Sequence, residues 1–307
     1  MSVIALLISV FVTCVPAAHA ASGGLSITST GTGISVMSMG SGTVLSTGAL
    51  LQEKIQMLKQ LLGAPLPDSR ASIVLSDAKE SGWASDVDHY SQKSAEYRTA
   101  CHNTIRAANR DTIVKQASTC LRGDLQLHSS FLRKQSQHVL DLPQLNASTR
   151  SGAILAINNL ISAEMTISDA IDAGVYTSVE NLDDAKAKLR DQYRSPYWLS
   201  LIKIQANTKL TYIGLMLKRL SDILSENNST PLIEKSTLQA LSCLTSSVTA
   251  YQGIRSSSGA VIAENSLSDA NKALPSCKDA VWTVAHLKSR QEQTSTGSSV
   301  LQTDAKK

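Results

Sequence analysis

Residues Ser195 to Ser225 read SPYWLSLIKIQANTKLTYIGLMLKRLSDILS, and the spacing of their apolar side chains decides the fold. Leu199, Ile202, Ala206, Leu210, Ile213, Leu217, Leu220 and Leu224 recur at steps of three and four, which is one face of an α-helix. Trp198, Leu201, Ile204, Leu215 and Met216 widen that face beyond a two-stranded seam. A helix apolar around so much of its circumference needs neighbours on more than one side, so it is expected at the centre of a bundle. Ser195-Pro196 predicts its start, with serine as N-cap and proline in the first turn, where an amide proton is not needed.

The same period continues in both directions. Ala49 onward, ALLQEKIQMLKQLLG, is an amphipathic helix stopped by Gly63 and followed by Pro65 and Pro67. Asp68 or Ser69 is the expected cap of a short helix ending before Gly82. Ser85 and Asp88 form a capping box for a helix whose inner stripe is Val87, Tyr90, Ser94, Tyr97, Cys101, Ile105 and Ala108. After a reversal at Asn109-Arg110-Asp111, the next stripe is Val114, Ala117, Leu121, Leu125, His128, Leu132, Gln135 and Val139. Ile154, Ile157, Ile161, Met165 and Ile171 mark a further helix closed by Gly174, and Thr177 with Glu180 suggests the cap of a charged one. Thr237 to Tyr251 is helical, a short helix is expected to end at Leu274, and Pro275-Ser276 is read as the start of the last. The prediction is an all-α, elongated antiparallel bundle over residues 49–292, with the Pro143 to Ser151 loop a candidate division and residues 293–307 a disordered tail.

Composition limits the function classes. In 307 residues with 42% apolar side chains there is enough to bury a core, and a net charge of +4 spread over both halves is no nucleic-acid footprint. Residues 1–20, MSVIALLISVFVTCVPAAHA, end in the small-x-small pattern Ala18-His19-Ala20 and read as a signal peptide, too short and too soon broken by Pro16 to span a membrane well. The mature chain is therefore expected to be secreted or periplasmic, with no stable membrane span. Residues 21–48 carry no charge and are rich in Gly, Ser and Thr, which suggests a flexible segment or one that adds to a partner's sheet edge.

Export makes the cysteines readable. Cys101, Cys120, Cys243 and Cys277 remain beyond the leader, an even number in an oxidising compartment, so two disulfides are expected. Of the three connectivities, reversal at residues 109–111 favours Cys101 with Cys120, because the two then lie at nearly the same height on neighbouring helices. Cys243 with Cys277 follows by elimination.

Chemistry is sparse. The sequence has no G-x-S-x-G elbow, phosphate-binding loop or H-E-x-x-H pair. Asp86 and His89 have ligand-like spacing but read better as a helix start; His128 falls on an apolar stripe, where a satisfied core histidine is the ordinary case; His102, His138 and His286 share no helical face with a carboxylate. No cofactor or metal is expected. Asn146, Asn227 and Asn228 fit the glycosylation sequon and fall in predicted loops.

One tripeptide stands apart, Arg122-Gly123-Asp124. Against its stripe, Gly123 is expected to point outward with Arg122 and Asp124 to either side, and a mid-helix glycine costs about 1 kcal/mol relative to alanine. The pentapeptide LRGDL, Leu121 to Leu125, resembles the helical Arg-Gly-Asp site of the secreted helix-bundle adhesins that tip certain bacterial type IV secretion pili. That likeness implies an integrin-type receptor reading Arg122 and Asp124. The leading expectation is a non-enzymatic binding or structural protein of the cell envelope or extracellular space with a protein partner. An adhesin or pilus-associated component is the alternative, and an enzyme assembled from residues distant in sequence is a third.

Overall fold

In the computed structural model, which describes residues 47–62, 70–225 and 230–303 with side chains over 48–62, 82–225 and 230–294, the molecule is an all-α bundle built around the 195–225 helix. The elements are α1 (Thr47–Leu62), α2 (Arg70–Ala107), α3 (Ile113–Asp141), α4 (Ala147–Asp172), α5 (Val179–Leu189), α6 (Ser195–Ser225), α7 (Pro231–Ser256) and α8 (Ala260–Thr303). The leader, the Gly/Ser/Thr-rich residues up to 46, the breaker residues 63–69, and Asn227 and Asn228 lie outside the described residues.

Two cores meet on α6. Trp83, Val87 and Tyr90 of α2, Leu125, Phe131 and Leu132 of α3, Ile157 and Leu160 of α4 and Leu182 and Leu189 of α5 pack on Tyr197, Leu201 and Ile204. The next positions along α6, from Ile202 and Ala206 to Leu220 and Ile223, pack on α1, α7 and α8. Trp198 touches both. This is why its apolar face is so wide: at 1.5 Å per residue the helix is about 46 Å long, and it serves two bundles on different sides. Of the expected Pro143 to Ser151 loop only residues up to Asn146 are non-helical, since α4 starts at Ala147, and Leu142 and Leu145 are buried in the core that the helices on either side share.

Several boundaries differ from expectation for local reasons. No break precedes Ser85, since α2 runs through Gly82 as one helix. Nor does Ser195 cap α6. Residues Arg190–Arg194 form a π turn in which the Ser195 N–H donates to the Arg190 carbonyl, so α5 passes into α6 without a loop. Pro196 has no N–H to give and its ring crowds the preceding turn, and a widened turn relieves both problems. The cap of α5 is Ser178, one residue on from Thr177, and its hydroxyl accepts from the Asn181 N–H. Pro275 lies inside α8, which continues to Thr303 where a disordered tail was expected from residue 293. After Pro275 that helix meets no further proline to interrupt its hydrogen bonds.

The cysteines pair as geometry suggested. Cys101 and Cys120 stand with Cα atoms 5.6 Å apart, joining α2 to α3, and Cys243 and Cys277 at 5.3 Å join α7 to α8. The 109–111 reversal that aligns the first pair is an Asn turn, in which Asn109 Oδ1 accepts from the Thr112 N–H at 3.0 Å. No helix among the described residues is long and apolar enough to cross a membrane.

Candidate functional site

The Arg-Gly-Asp segment, a buried cluster between α3 and α4, and a cleft where the two bundles meet each bring polar side chains together.

In the tripeptide, Gly123 does not point outward. It faces α2, and a Cβ built on it would lie 1.9 Å from the Tyr97 hydroxyl and 2.5 Å from the ring carbon that bears it. The missing side chain is what lets Tyr97 lie across α3 and reach the Thr119 carbonyl at 3.4 Å. Arg122 and Asp124 diverge to opposite neighbours. Asp124 accepts from Arg98 of α2 at 3.2 Å, and Arg122 pairs with Asp172 at the end of α4. Burial, then the nearby Asp124 carboxylate, raise the Tyr97 hydroxyl above its ordinary value. The three residues therefore join α3 to the helices on both sides of it.

The buried cluster was only half visible in sequence. His128 Nδ1 meets Glu164 Oε1, and the Ser129 hydroxyl donates to Glu164 Oε2 at 2.8 Å, with His128 2% and Glu164 0% exposed. Tyr90 stacks on Phe131 with ring centres 4.2 Å apart beside them, and burial pushes its hydroxyl up to about 12. Tyr197, wholly buried, is raised further by burial, then by Tyr90 and Glu164. Glu164 falls inside because the inner stripe of α4 is Ala153, Ile157, Leu160 and Glu164, while Met165, expected inside, is 48% exposed. Both histidine assignments that looked solitary have carboxylates on another helix: Glu164 for His128, and Asp86 for His138 at 2.9 Å. Asp86 turns to Lys134 and His138 and not to His89. Among the described residues no group of three or more His, Cys, Asp and Glu is placed to hold a metal ion.

The cleft encloses about 700 Å³ between α4, α6 and the end of α7. Its volume lies within the range usual for small-molecule sites, about 300–1,000 Å³. One wall is the first three turns of α4, from Ser148 to Asn159; a second is Pro196, Leu199, Ser200 and Lys203 of α6; the third is Gln252, Arg255 and Ser256. Rigid contacts set these walls. Asn146 caps α4, accepting from the Thr149 N–H at 2.8 Å, and its amide donates to Asn207 of α6 at 3.0 Å. Asn207 in turn donates to the Gln144 carbonyl at 2.7 Å. The Asn146 amide is thus held in the structure, although its sequence fits a sequon. Gln252 donates to the Leu61 carbonyl, tying this end of α7 to α1.

Lys203 and Arg255 are half-buried, no ion pair among the described residues involves either, and no carboxylate lines the cleft. Nothing in the sequence marked this place as a site, because its residues come from three helices and the signals that touch it, the Asn146 sequon at Ser148 and the helix start at Pro196, point elsewhere. No protein-family model matches the chain, and no curated protein or solved structure does either.

Proposed function

We propose that the chain is a non-enzymatic binding protein of the cell envelope or extracellular space, and that its ligand enters the cleft between the two bundles. The observation that carries this reading is the composition of the cleft: two cations, several hydroxyls and amides and an aliphatic floor, with no histidine, cysteine or carboxylate in the lining. Such a lining holds and orients a ligand by charge, hydrogen bonds and apolar contact. Its walls are helices tied by hydrogen bonds from Asn146, Asn207 and Gln252, and the Cys243–Cys277 bridge fastens α7 to α8, which suits preorganised binding. The paired cysteines and the leader-like start agree with an oxidising compartment. Receptor binding through Arg122 and Asp124 would need both side chains to leave ion pairs with neighbouring helices, so the cleft is the preferred site.

Gly152 supplies the test. Gly152 lines the cleft and a Cβ built there meets nothing within 4 Å, so Gly152→Leu adds bulk at that wall. A thermal-shift screen of small organic ions and neutral molecules is expected to yield compounds that raise the melting temperature of the wild type and leave Gly152→Leu unmoved. Equal shifts in the two proteins, or none in either, would overturn the reading.

A further inference from the structure

The cleft reading can be taken as far as a ligand class. The lining carries both charge and carbon surface, with Lys203 one helical turn from Leu199. Leu155, Ala156 and Ala153 of α4 stand with Leu199 and Pro196 of α6 as an aliphatic surface. Lys203, two turns along α6 from Pro196, and Arg255, in the last turn of α7, supply the charge. Arg255 also opposes the partial negative charge at the end of α7, an ordinary placement for a basic residue. Lys203 has no such partner, sitting mid-helix in α6 with a half-buried stem. Two half-buried cations with no carboxylate between them raise the local potential, and a hydrated cleft relieves this by taking up an anion. The first turn of α4, at Ser148 and Thr149, adds the positive end of a helix dipole to the same side of the balance.

We infer that the cleft binds a small amphiphilic anion, a phosphate or carboxylate head held by Lys203 and Arg255 with a short aliphatic portion along Leu155, Ala156 and Leu199. This rests on the cleft being the binding place. The lining has no aromatic ring on which a sugar or base would stack, and its carbon surface is aliphatic, which is why the non-ionic part is assigned to an alkyl group. The hydroxyls of Ser148, Ser200 and Ser256 remain for the head-group oxygens.

The experiment is calorimetric titration of the oxidised full chain with octyl phosphate, octanol and inorganic phosphate, and with phosphatidylglycerol vesicles to separate a free ligand from a membrane headgroup. Octyl phosphate is expected to bind at least tenfold tighter than either octanol or inorganic phosphate. Lys203→Gln with Arg255→Gln should lower its affinity tenfold or more, and Gly152→Leu should abolish binding, with circular dichroism and melting unchanged or improved in both. If octanol binds as tightly and Gly152→Leu blocks it, the charge assignment is wrong and the cleft remains a binding place. If vesicles bind and octyl phosphate does not, the ligand is a lipid surface and the inference fails. If no probe binds to the wild type, the inference and the cleft reading fail together.

Discussion

A glycine in the middle of a helix carries a cost of about 1 kcal/mol, and at position 123 a neighbouring tyrosine accounts for it. Gly123→Ala regains helix propensity but drives Tyr97 off its seat over α3 and breaks its bond to Thr119. In a Tyr97→Ala background the same change should stabilise by about 1 kcal/mol, whereas in the wild type it should give no gain or a loss; urea unfolding of the four proteins measures the coupling. The buried pair obeys a different rule. His128→Leu leaves the Glu164 carboxylate buried with Ser129, and should cost roughly 3–5 kcal/mol, while His128→Leu with Glu164→Leu should recover most of it in the same assay. Asp86 gives the pH dependence. Its hydrogen bond to Lys134, opposed by burial and reinforced by His138, lowers its pKa below the ordinary 3.8. Its contribution is therefore full above that value and lost as pH falls through the folded one, so Asp86→Asn should be the less stable protein at pH 7, with the gap closing in acid. At this scale the sequence showed which residues were unusual but not what they faced. His128 on an apolar stripe was visible, but Glu164 was not, because the stripe read for α4 put Met165 inside and the meeting of the two depends on how α4 is turned against α3.

Elements were the most legible level. Of the α3 stripe read from sequence, Leu121, Leu125, His128, Leu132, Gln135 and Val139 are buried while Val114 and Ala117 at its start are only half-buried, and the long α6 serves both cores. Periodicity succeeds there because burial selects one face over many turns. Single-residue signals did worse. Gly82 and Pro275 were read as breaks and lie within continuous helices; the buried Trp83 and Val87 follow the first, and Leu274 and Cys277 flank the second, packing that outweighs a local penalty of about 1–3 kcal/mol. On α4, Met165 and Glu164 exchange the places that hydropathy alone would give them, because His128 and Ser129 receive the carboxylate. The hairpins make the prediction at this scale. Cys101→Ser with Cys120→Ser opens a link spanning 19 residues and should cost about 3 kcal/mol, and removal of the 34-residue link between Cys243 and Cys277 about 4 kcal/mol, read from denaturant midpoints of the oxidised proteins.

In the whole molecule, the proposed binding place lies where the bundles meet. Each bundle closes its own core on α6, and with that helix α4 and the end of α7 enclose a space neither bundle makes alone. No stretch of sequence encodes that space, because Lys203 and Arg255 are 52 residues apart in the chain and belong to no motif. The Arg-Gly-Asp segment was the conspicuous feature of the sequence, and in the fold it ties three helices together. Hydrogen exchange of the oxidised chain, with and without saturating octyl phosphate, separates these two places in one experiment. The account predicts slowed exchange at residues 148–159, 196–203 and 252–256 and none at 122–124. Protection centred on 122–124, or no protection along α4, α6 and α7, would contradict it.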